Sequence, residues 1–125
     1  MNKRLLLVDD EETILFALER YFTRLGFIVD QARELEEAEA LASFTAYDLV
    51  IADLSLSAEG TTEGLEIVRH VRRHCRNART IILTGNATPV IEREAYRRGA
   101  DVLLRKPRPL AEIANVVASL LGDAV

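Results

Sequence analysis

The chain has 125 residues, of which 49% are hydrophobic and 29% are charged, and its formal net charge is -4. This length fits one domain of ordinary size, so we expect a single domain over residues 1–125 without a separate catalytic or DNA-binding unit. The longest apolar runs, at residues 5–8 and 49–52, are far shorter than the roughly 20 residues that a membrane-spanning helix needs. The sequence therefore predicts a folded domain with no helical membrane span.

Cysteine content and charge indicate the cellular compartment and the kinds of partner to expect. Cys75 is the only cysteine, which excludes an internal disulfide and a cysteine-based zinc cluster, and no leader-like apolar stretch opens the sequence. We therefore expect a cytoplasmic protein. Residues 1–62 carry thirteen acidic and five basic side chains, whereas residues 63–125 carry seven and eleven. This asymmetry could steer a charged partner or simply keep the surface solvated. With only 6% aromatic residues, none interleaved with the basic ones, direct nucleic-acid binding is not expected.

Five short apolar runs alternate with longer stretches of helical periodicity along the chain. This alternation is typical of an α/β fold, a doubly wound parallel sheet with helices on both faces. Strands are predicted at residues 4–8, 27–30, 48–52, 80–83 and 101–105. Helices are predicted at residues 12–25, 34–44, 64–75, 89–98 and 109–121. The second strand is the most mixed in polarity, so we place it at an edge of the sheet.

Local signals refine these elements. The buried stripe of the first helix is predicted to comprise Ile14, Leu15, Leu18, Tyr21 and Phe22. Gly26, Gly99 and Gly122 each follow a predicted helix, where glycine takes the left-handed conformation that ends it. Residues 54–63 form a predicted loop longer than the two to six residues usual between a strand and a helix.

Polar residues stand at the carboxyl ends of four of the predicted strands. Asp9 and Asp10 follow the first strand, Asp53 the third, Thr84 the fourth and Lys106 the fifth. In a parallel sheet these ends meet in one crevice, where ligands bind. Each residue alone has an ordinary interpretation, as a helix cap, a turn residue or an exposed lysine. Their coincidence at four strand ends favours a functional site.

The predicted cluster of carboxylates indicates a metal. Two carboxylates about 4 Å apart repel each other by about 4 kcal/mol at an effective dielectric constant of 20, so three in one crevice need a cation or protons. All candidate ligands are oxygens, because His70 and His74 belong to the third helix, and this favours Mg²⁺ over zinc. A carboxylate beside Mg²⁺ can attack phosphorus to give an acyl phosphate. Lys106 and Thr84 would then contact the phosphoryl oxygens.

These residues resemble the receiver domain of two-component response regulators, from Leu5 to about Leu121. The similarity rests on Val8-Asp9-Asp10, Asp53 after residues 49–52, Thr84-Gly85, Gly99-Ala100-Asp101 and Lys106-Pro107. It implies a flavodoxin-like (βα)5 fold with strand order 2-1-3-4-5. It also implies a phospho-acceptor that promotes its own phosphorylation and dephosphorylation, rather than an enzyme in the usual sense.

The resemblance assigns a role to each site residue. Asp53 would accept a phosphoryl group from a histidine kinase or a phosphotransfer protein. Asp10 would ligate Mg²⁺ directly, Asp9 mostly through water, and Ser55 through its backbone carbonyl. Thr84 would be the switch hydroxyl that turns toward the phosphoryl group and draws the following loop with it. The peptide bond before Pro107 is often cis in this family.

Three departures from the family pattern affect the expected mechanism. Leu103 stands where the family commonly has an aromatic switch residue, three positions before the lysine. Leu56-Ser57 replace the usual Met-Pro, and the glycine expected about eight residues after the acceptor is Gly64, eleven residues on. We therefore expect an enlarged and mobile rim over Asp53. Ser55 and Asn86 occupy positions similar to those that tune the access of attacking water.

The sequence leaves the role of the predicted output surface open, and three alternative functions can be weighed against a phosphorylated receiver. Helix four, strand five and helix five carry Arg93, Arg97, Arg98, Arg105 and Arg108. This surface could bind a second copy or an effector, or the arginines could only solubilise it. The main alternative is a receiver-like interaction module that works without phosphorylation. A magnesium-dependent phosphatase with an aspartyl nucleophile is disfavoured. Such enzymes carry an Asp-x-Asp motif after the first strand, whereas the run here is Asp9-Asp10-Glu11-Glu12. A flavin carrier is disfavoured because the acidic loop after the first strand would repel phosphate.

Overall fold

Five β-α units build the protein in the computed structural model, which describes residues 2–54 and 63–122. The strands are β1 (Arg4–Val8), β2 (Ile28–Ala32), β3 (Leu49–Asp53), β4 (Arg79–Thr84) and β5 (Val102–Arg105). The helices are α1 (Glu12–Arg24), α2 (Leu35–Phe44), α3 (Glu63–His74), α4 (Pro89–Arg98) and α5 (Leu110–Leu120). All neighbouring strands are parallel, and their order is β2-β1-β3-β4-β5. The predicted fold class and strand order are confirmed, and so is the edge position of the second strand.

The sheet separates two apolar layers because successive side chains of a strand point to opposite faces. On one face, Leu6 and Val8 of β1 pack with buried residues of α2, α3 and α4. On the other face, Leu5 and Leu7 pack with α1 and α5. Strands covered on both faces are apolar throughout, which explains why β1, β3 and β4 show no alternation in the sequence. In α1, the predicted stripe is only partly correct, because Leu15, Leu18 and Phe22 are buried whereas Ile14 and Tyr21 are half-buried.

The bounds of β2 differ from the predicted residues 27–30. β2 continues through Asp30 and Gln31 to Ala32, because it pairs in register with β1 from Arg4 opposite Ile28 to Val8 opposite Ala32. An edge strand exposes part of its surface, so polar residues are accepted there and the apolar pattern underestimates its length. β3 and β4 also extend one residue further than predicted, so that Asp53 and Thr84 are the last residues of their strands.

Glycine ends several helices as predicted. Gly26, Gly99 and Gly122 have φ angles of 100°, 112° and 72°. Gly99 meets a second constraint, because a Cβ atom there would lie 2.6 Å from Cγ of Arg72. Within residues 2–54 and 63–122, no helix combines the length and the apolar character that are needed to cross a bilayer.

Candidate functional site

The carboxyl ends of β1 and β3 bring three carboxylates together. β1 and β3 are neighbours in the sheet, with Val8 opposite Ala52, so Asp9 and Asp10 follow β1 next to Asp53 at the end of β3. One carboxylate oxygen from each aspartate lies within 4.8 Å of the other two. Asp9 is 3% exposed, the Asp53 side chain is 12% exposed, and Asp10 is open to solvent. We call Asp9, Asp10 and Asp53 the carboxylate cluster.

Lys106 joins this cluster from the end of β5. Its Nζ atom lies 3.0 Å from Oδ2 of Asp9 and 3.6 Å from Oδ2 of Asp53. Because β4 separates β5 from β3 in the sheet, the lysine side chain spans the end of β4 to reach both carboxylates. Its side chain is only 18% exposed, so the alternative interpretation as a solvent-exposed lysine is wrong. The Lys106-Pro107 peptide bond is cis, as the resemblance implied.

Thr84 ends β4 beside the cluster and is 2% exposed. Its register places it opposite Arg105 of β5, while the preceding residue, Leu83, lies opposite Asp53. The Thr84 hydroxyl oxygen accepts a hydrogen bond of 3.1 Å from the backbone N–H of Asn86. A hydroxyl group also carries one donor proton, so Thr84 can still donate to a group held at Asp53.

Asp9 does not cap α1, which was its ordinary interpretation. The N-cap residue of α1 is Glu11, and no side chain caps that helix end. Instead, Oδ1 of Asp9 accepts a hydrogen bond of 3.0 Å from the backbone N–H of Glu11, and Oδ2 accepts one from Lys106. Both oxygens of this buried carboxylate are therefore engaged, which fixes its orientation at the floor of the crevice.

The electrostatics and the donor set of the cluster fit a divalent cation. Three carboxylates and the ammonium group of Lys106 give these four side chains a formal charge of -2. Oxygen donors suit Mg²⁺ and Ca²⁺, and the exposed Asp10 leaves room for metal-bound water. Both histidines lie elsewhere, because His70 and His74 stack on each other in α3 with ring centroids 4.0 Å apart. The donors present therefore match a hard cation rather than zinc.

Gly64 places α3 directly against the backbone of Asp53. Its N–H donates a hydrogen bond of 2.9 Å to the carbonyl oxygen of Leu54. A Cβ atom at Gly64 would lie 2.5 Å from the Asp53 carbonyl oxygen and 2.7 Å from Cα of Leu54. Only glycine permits this approach. Gly64 therefore lies beside Asp53 even though it follows Asp53 by eleven residues instead of the expected eight or so.

The rest of the predicted rim falls outside the described residues. This applies to residues 55–62, and therefore to the Ser55 carbonyl that was predicted as a metal ligand and to Leu56-Ser57. Leu54 itself is 2% exposed and belongs to the apolar layer that the sheet forms with α2, α3 and α4.

Two contacts of β5, one with α4 and one with the residues just before α4, had no signal in the sequence. The Tyr96 hydroxyl oxygen accepts a hydrogen bond of 3.0 Å from the backbone N–H of Leu103. Arg105 Nη1 donates a hydrogen bond of 3.0 Å to the Ala87 carbonyl oxygen. Leu103, which stands in the position of the family's aromatic residue, is buried in the apolar layer. An aromatic side chain does meet this part of β5, but it comes from α4 and its place depends on how the helix crosses the edge strand.

The predicted arginine surface is largely paired within the chain. Arg97 and Arg98 both form hydrogen bonds with Glu94, and Arg98 also reaches Glu66 of α3. The hydrogen bonds from Arg97 and then from Arg98 lower the pKa of the Glu94 carboxyl to about 2. Arg105 lies 3.4 Å from Glu92. These pairs explain three of the five arginines without an external partner.

Comparison with known proteins identifies the family. Residues 5–118 match the family model of the response regulator receiver domain. The transcriptional regulatory protein QseB of Haemophilus influenzae is 32% identical over 118 residues, which are 94% of this chain and 52% of QseB. ResD of Bacillus subtilis is 30% identical over 121 residues, which are 97% of this chain and 49% of ResD. The chain thus spans about half the length of these relatives.

Solved structures agree with this assignment. A response regulator from Burkholderia pseudomallei, described with a phosphorylated aspartic acid, a calcium ion and citrate, is 29% identical with a TM-score of 0.82. The match covers 99% of this chain and 76% of that one. A CheY-like receiver domain protein from Methanospirillum hungatei shares the fold, with a TM-score of 0.91 at 24% identity over 98% of this chain and 96% of that one. From its strand order and its match over residues 5–118, the chain belongs to the response regulator receiver domain family.

Proposed function

We propose that Asp53 is the phospho-acceptor of this receiver domain and that it takes its phosphoryl group from a histidine kinase or a phosphotransfer protein. The observation that carries the proposal is the cluster of three carboxylates within 4.8 Å, with Lys106 Nζ 3.6 Å from Asp53. The relative from Burkholderia pseudomallei supports it, since a phosphorylated aspartic acid and a divalent ion are described together in that protein. The proposal takes residues 1–125 as one receiver domain.

In the proposed reaction, an Oδ atom of Asp53 attacks phosphorus while the bond from phosphorus to the donor's leaving group breaks. The product is an aspartyl phosphate, which adds negative charge to a group of side chains whose formal charge is already -2. Asp9, Asp10, Asp53 and the Ser55 backbone carbonyl would hold Mg²⁺, which supplies charge neutralisation and polarises the phosphoryl group when bound. Asp10 would ligate it directly and Asp9 mostly through water.

Lys106 and Thr84 would complete the site. Lys106 already pairs with Asp9 and Asp53, so its ammonium group needs only a small displacement to donate to a phosphoryl oxygen. The Thr84 hydroxyl would turn from the Asn86 amide toward the phosphoryl group and act as the switch. In this proposal the domain promotes its own phosphorylation and dephosphorylation, and it turns over no separate substrate.

The output is proposed to leave through α4, β5 and α5, toward an effector or a second copy of the chain. The Arg105 and Tyr96 contacts connect this surface to β5, the strand that Lys106 directly follows. The proposal also includes a cytoplasmic location, which the free thiol of Cys75 favours.

Intact-protein mass spectrometry tests the acceptor. The chain is incubated with Mg²⁺ and acetyl phosphate beside Asp53→Asn, which removes the nucleophile at nearly constant volume. We expect one phosphoryl adduct that requires Mg²⁺ and is missing in the variant. An adduct that persists in Asp53→Asn would assign the nucleophile to another residue, such as Asp9 or Asp10. A wild-type chain that takes no phosphoryl group from acetyl phosphate would favour an interaction module that works without phosphorylation.

A further inference from the structure

Arg105 connects the edge strand of the sheet to the loop beside the proposed phospho-acceptor. It is the last residue of β5, opposite Thr84 in the register and directly before Lys106. Its side chain is 55% exposed, yet the guanidinium group has two defined partners. Nη1 donates to the Ala87 carbonyl oxygen at 3.0 Å, and Nη2 lies 3.4 Å from Oε1 of Glu92 in the first turn of α4.

Residues 85–88, which we call the β4-α4 loop, pack on the apolar layer through the half-buried Ala87. Residues 85, 86 and 88 are exposed, and a Cβ atom built at Gly85 would meet no other atom within 4 Å. Apart from this contact of Ala87, the loop is held by hydrogen bonds. At its start, Asn86 donates to Thr84, and at its end the Thr88 hydroxyl caps α4 by accepting from Ile91. Between these ends, the bond from Arg105 fixes the carbonyl group of Ala87.

A phosphoryl group on Asp53 would disturb this arrangement. Asp53 lies opposite Leu83, next to the end of β4, where Thr84 is the last residue of the strand. Turning the Thr84 hydroxyl toward a phosphoryl oxygen strains or breaks its bond with the Asn86 amide, so the start of the loop must adjust. How readily the loop adjusts then depends on what holds Ala87, which is the hydrogen bond from Arg105 together with the packing of Ala87 on the apolar layer.

We propose that Arg105 is a positioning residue that latches the β4-α4 loop in its unphosphorylated arrangement and opposes the rearrangement that follows phosphorylation. This inference rests on the proposed function and adds a residue outside the site itself. Two successive residues at the end of β5 then have different roles. Lys106 contacts the carboxylate cluster, and Arg105 contacts the β4-α4 loop. The latch differs from an aromatic rotamer switch, whose position Leu103 occupies in this chain.

For the removal of the Arg105 side chain, the latch predicts a change in anion affinity opposite in sign to the change that the loss of charge alone predicts. Replacing Arg105 by alanine removes one positive charge near an anion-binding site, and simple electrostatics predicts weaker binding of an anion. If the arginine holds the loop in the unphosphorylated arrangement, its removal makes the competent arrangement more populated and the anion binds more tightly.

The test is a titration with beryllofluoride, a phosphoryl mimic, at saturating Mg²⁺ on the ¹⁵N-labelled chain, read from the amide signals of residues 85–88. We expect Arg105→Ala to lower the midpoint by about threefold to tenfold, the range of one lost hydrogen bond. Its amide signals without beryllofluoride should already be displaced toward their bound positions. Arg105→Lys should fall between Ala and wild type, because an ammonium group cannot reproduce the two-armed contact. Arg97→Ala, which removes the same charge from α4, should match wild type.

The outcomes separate the latch from the proposed function. A midpoint for Arg105→Ala that equals or exceeds the wild-type value overturns the latch and leaves the phospho-acceptor proposal standing. A wild-type chain whose spectrum does not respond to beryllofluoride with Mg²⁺ overturns the proposed function itself. If Arg105→Ala loses its dispersed spectrum, Arg105→Lys decides, and a wild-type midpoint in that variant overturns the latch.

Discussion

Lys106 neutralises Asp9 across the width of two strands, with its Nζ atom 3.0 Å from Oδ2 of a carboxylate that is 3% exposed. The same ammonium group lies 3.6 Å from Asp53. The lysine is thus a cation that balances charge on both Asp9 and Asp53. A bound Mg²⁺ and the Lys106 ammonium group would compete for the same oxygens.

This competition gives the first prediction. Lys106→Met keeps the apolar stem and removes the charge, so the cluster should bind Mg²⁺ about tenfold more tightly, as expected for the loss of a repelling cation close to the ion. Phosphorylation of Asp53 should nevertheless become slower, since a donor to the phosphoryl oxygens is lost. Isothermal titration with Mg²⁺ measures the affinity, and mass spectrometry measures the phosphorylation rate. Lys106→Arg, which keeps the charge, should leave the Mg²⁺ affinity near that of wild type. Weaker Mg²⁺ binding in Lys106→Met would contradict the competition.

Gly64 gives the second prediction. Gly64→Ala forces a methyl group into the space 2.5 Å from the Asp53 carbonyl oxygen, so α3 or β3 must shift, and the free energy of unfolding should fall by about 1–3 kcal/mol. Urea denaturation measures the change. Gly85→Ala is the matched control, because its methyl group meets open space and should change stability by less than about 1 kcal/mol. Equal stability of the two variants would mean that α3 does not press on Asp53.

Tyr96 gives the third prediction. Tyr96→Phe removes only the hydroxyl that accepts from the Leu103 amide, so the edge strand loses a hydrogen bond worth about 1 kcal/mol. The Leu103 amide should exchange with solvent several-fold faster, which hydrogen-exchange NMR detects at that residue. Val50 lies in β3, the central strand of the sheet, and its amide serves as the internal reference. Unchanged exchange at Leu103 would show that the hydroxyl does not protect the strand.

Glu94 gives the fourth prediction, on pH. Hydrogen bonds from Arg97 and Arg98 lower the pKa of Glu94 to about 2, so folding favours its charged form. The resulting stability is present above the ordinary glutamate pKa and is lost as the pH falls from about 4.5 toward 2. Glu94→Gln should therefore flatten the acid limb of the stability profile, measured by thermal unfolding at several pH values. The effect should be small and should shrink with added salt, because the pair lies at the surface. An unchanged acid limb would count against this pair as a source of stability.

The sequence predicts the content of the fold well because each signal is local. A run such as residues 5–8 is apolar throughout, and a helix covers each face of its strand, so type and order follow from the pattern. The prediction of strand bounds fails where pairing with a neighbouring strand determines the length. β2 extends through Asp30 and Gln31 because its register with β1 continues, and no property of those two side chains indicates a strand.

The candidate site was predictable to the extent that topology alone places residues. Asp9, Asp53 and Lys106 meet because parallel strands end at one edge of the sheet, and that rule needs no side-chain geometry. Their catalytic and metal-binding roles stay predictions. The contacts of Arg105 with Ala87 and of Tyr96 with Leu103 depend on the path of a loop and on the crossing of α4, which spacing in the sequence does not encode.

The contact between Gly64 and Leu54 positions α3 independently of the length of the segment that follows Asp53. The N–H of Gly64 and the carbonyl of Leu54 join the two ends of the segment at 2.9 Å, whatever number of residues lies between them. Closing a somewhat longer segment costs only a few tenths of a kcal/mol, since loop-closure entropy grows with the logarithm of length. The contact of Leu54 with Gly64, and not the number of residues between them, therefore determines where α3 begins relative to Asp53.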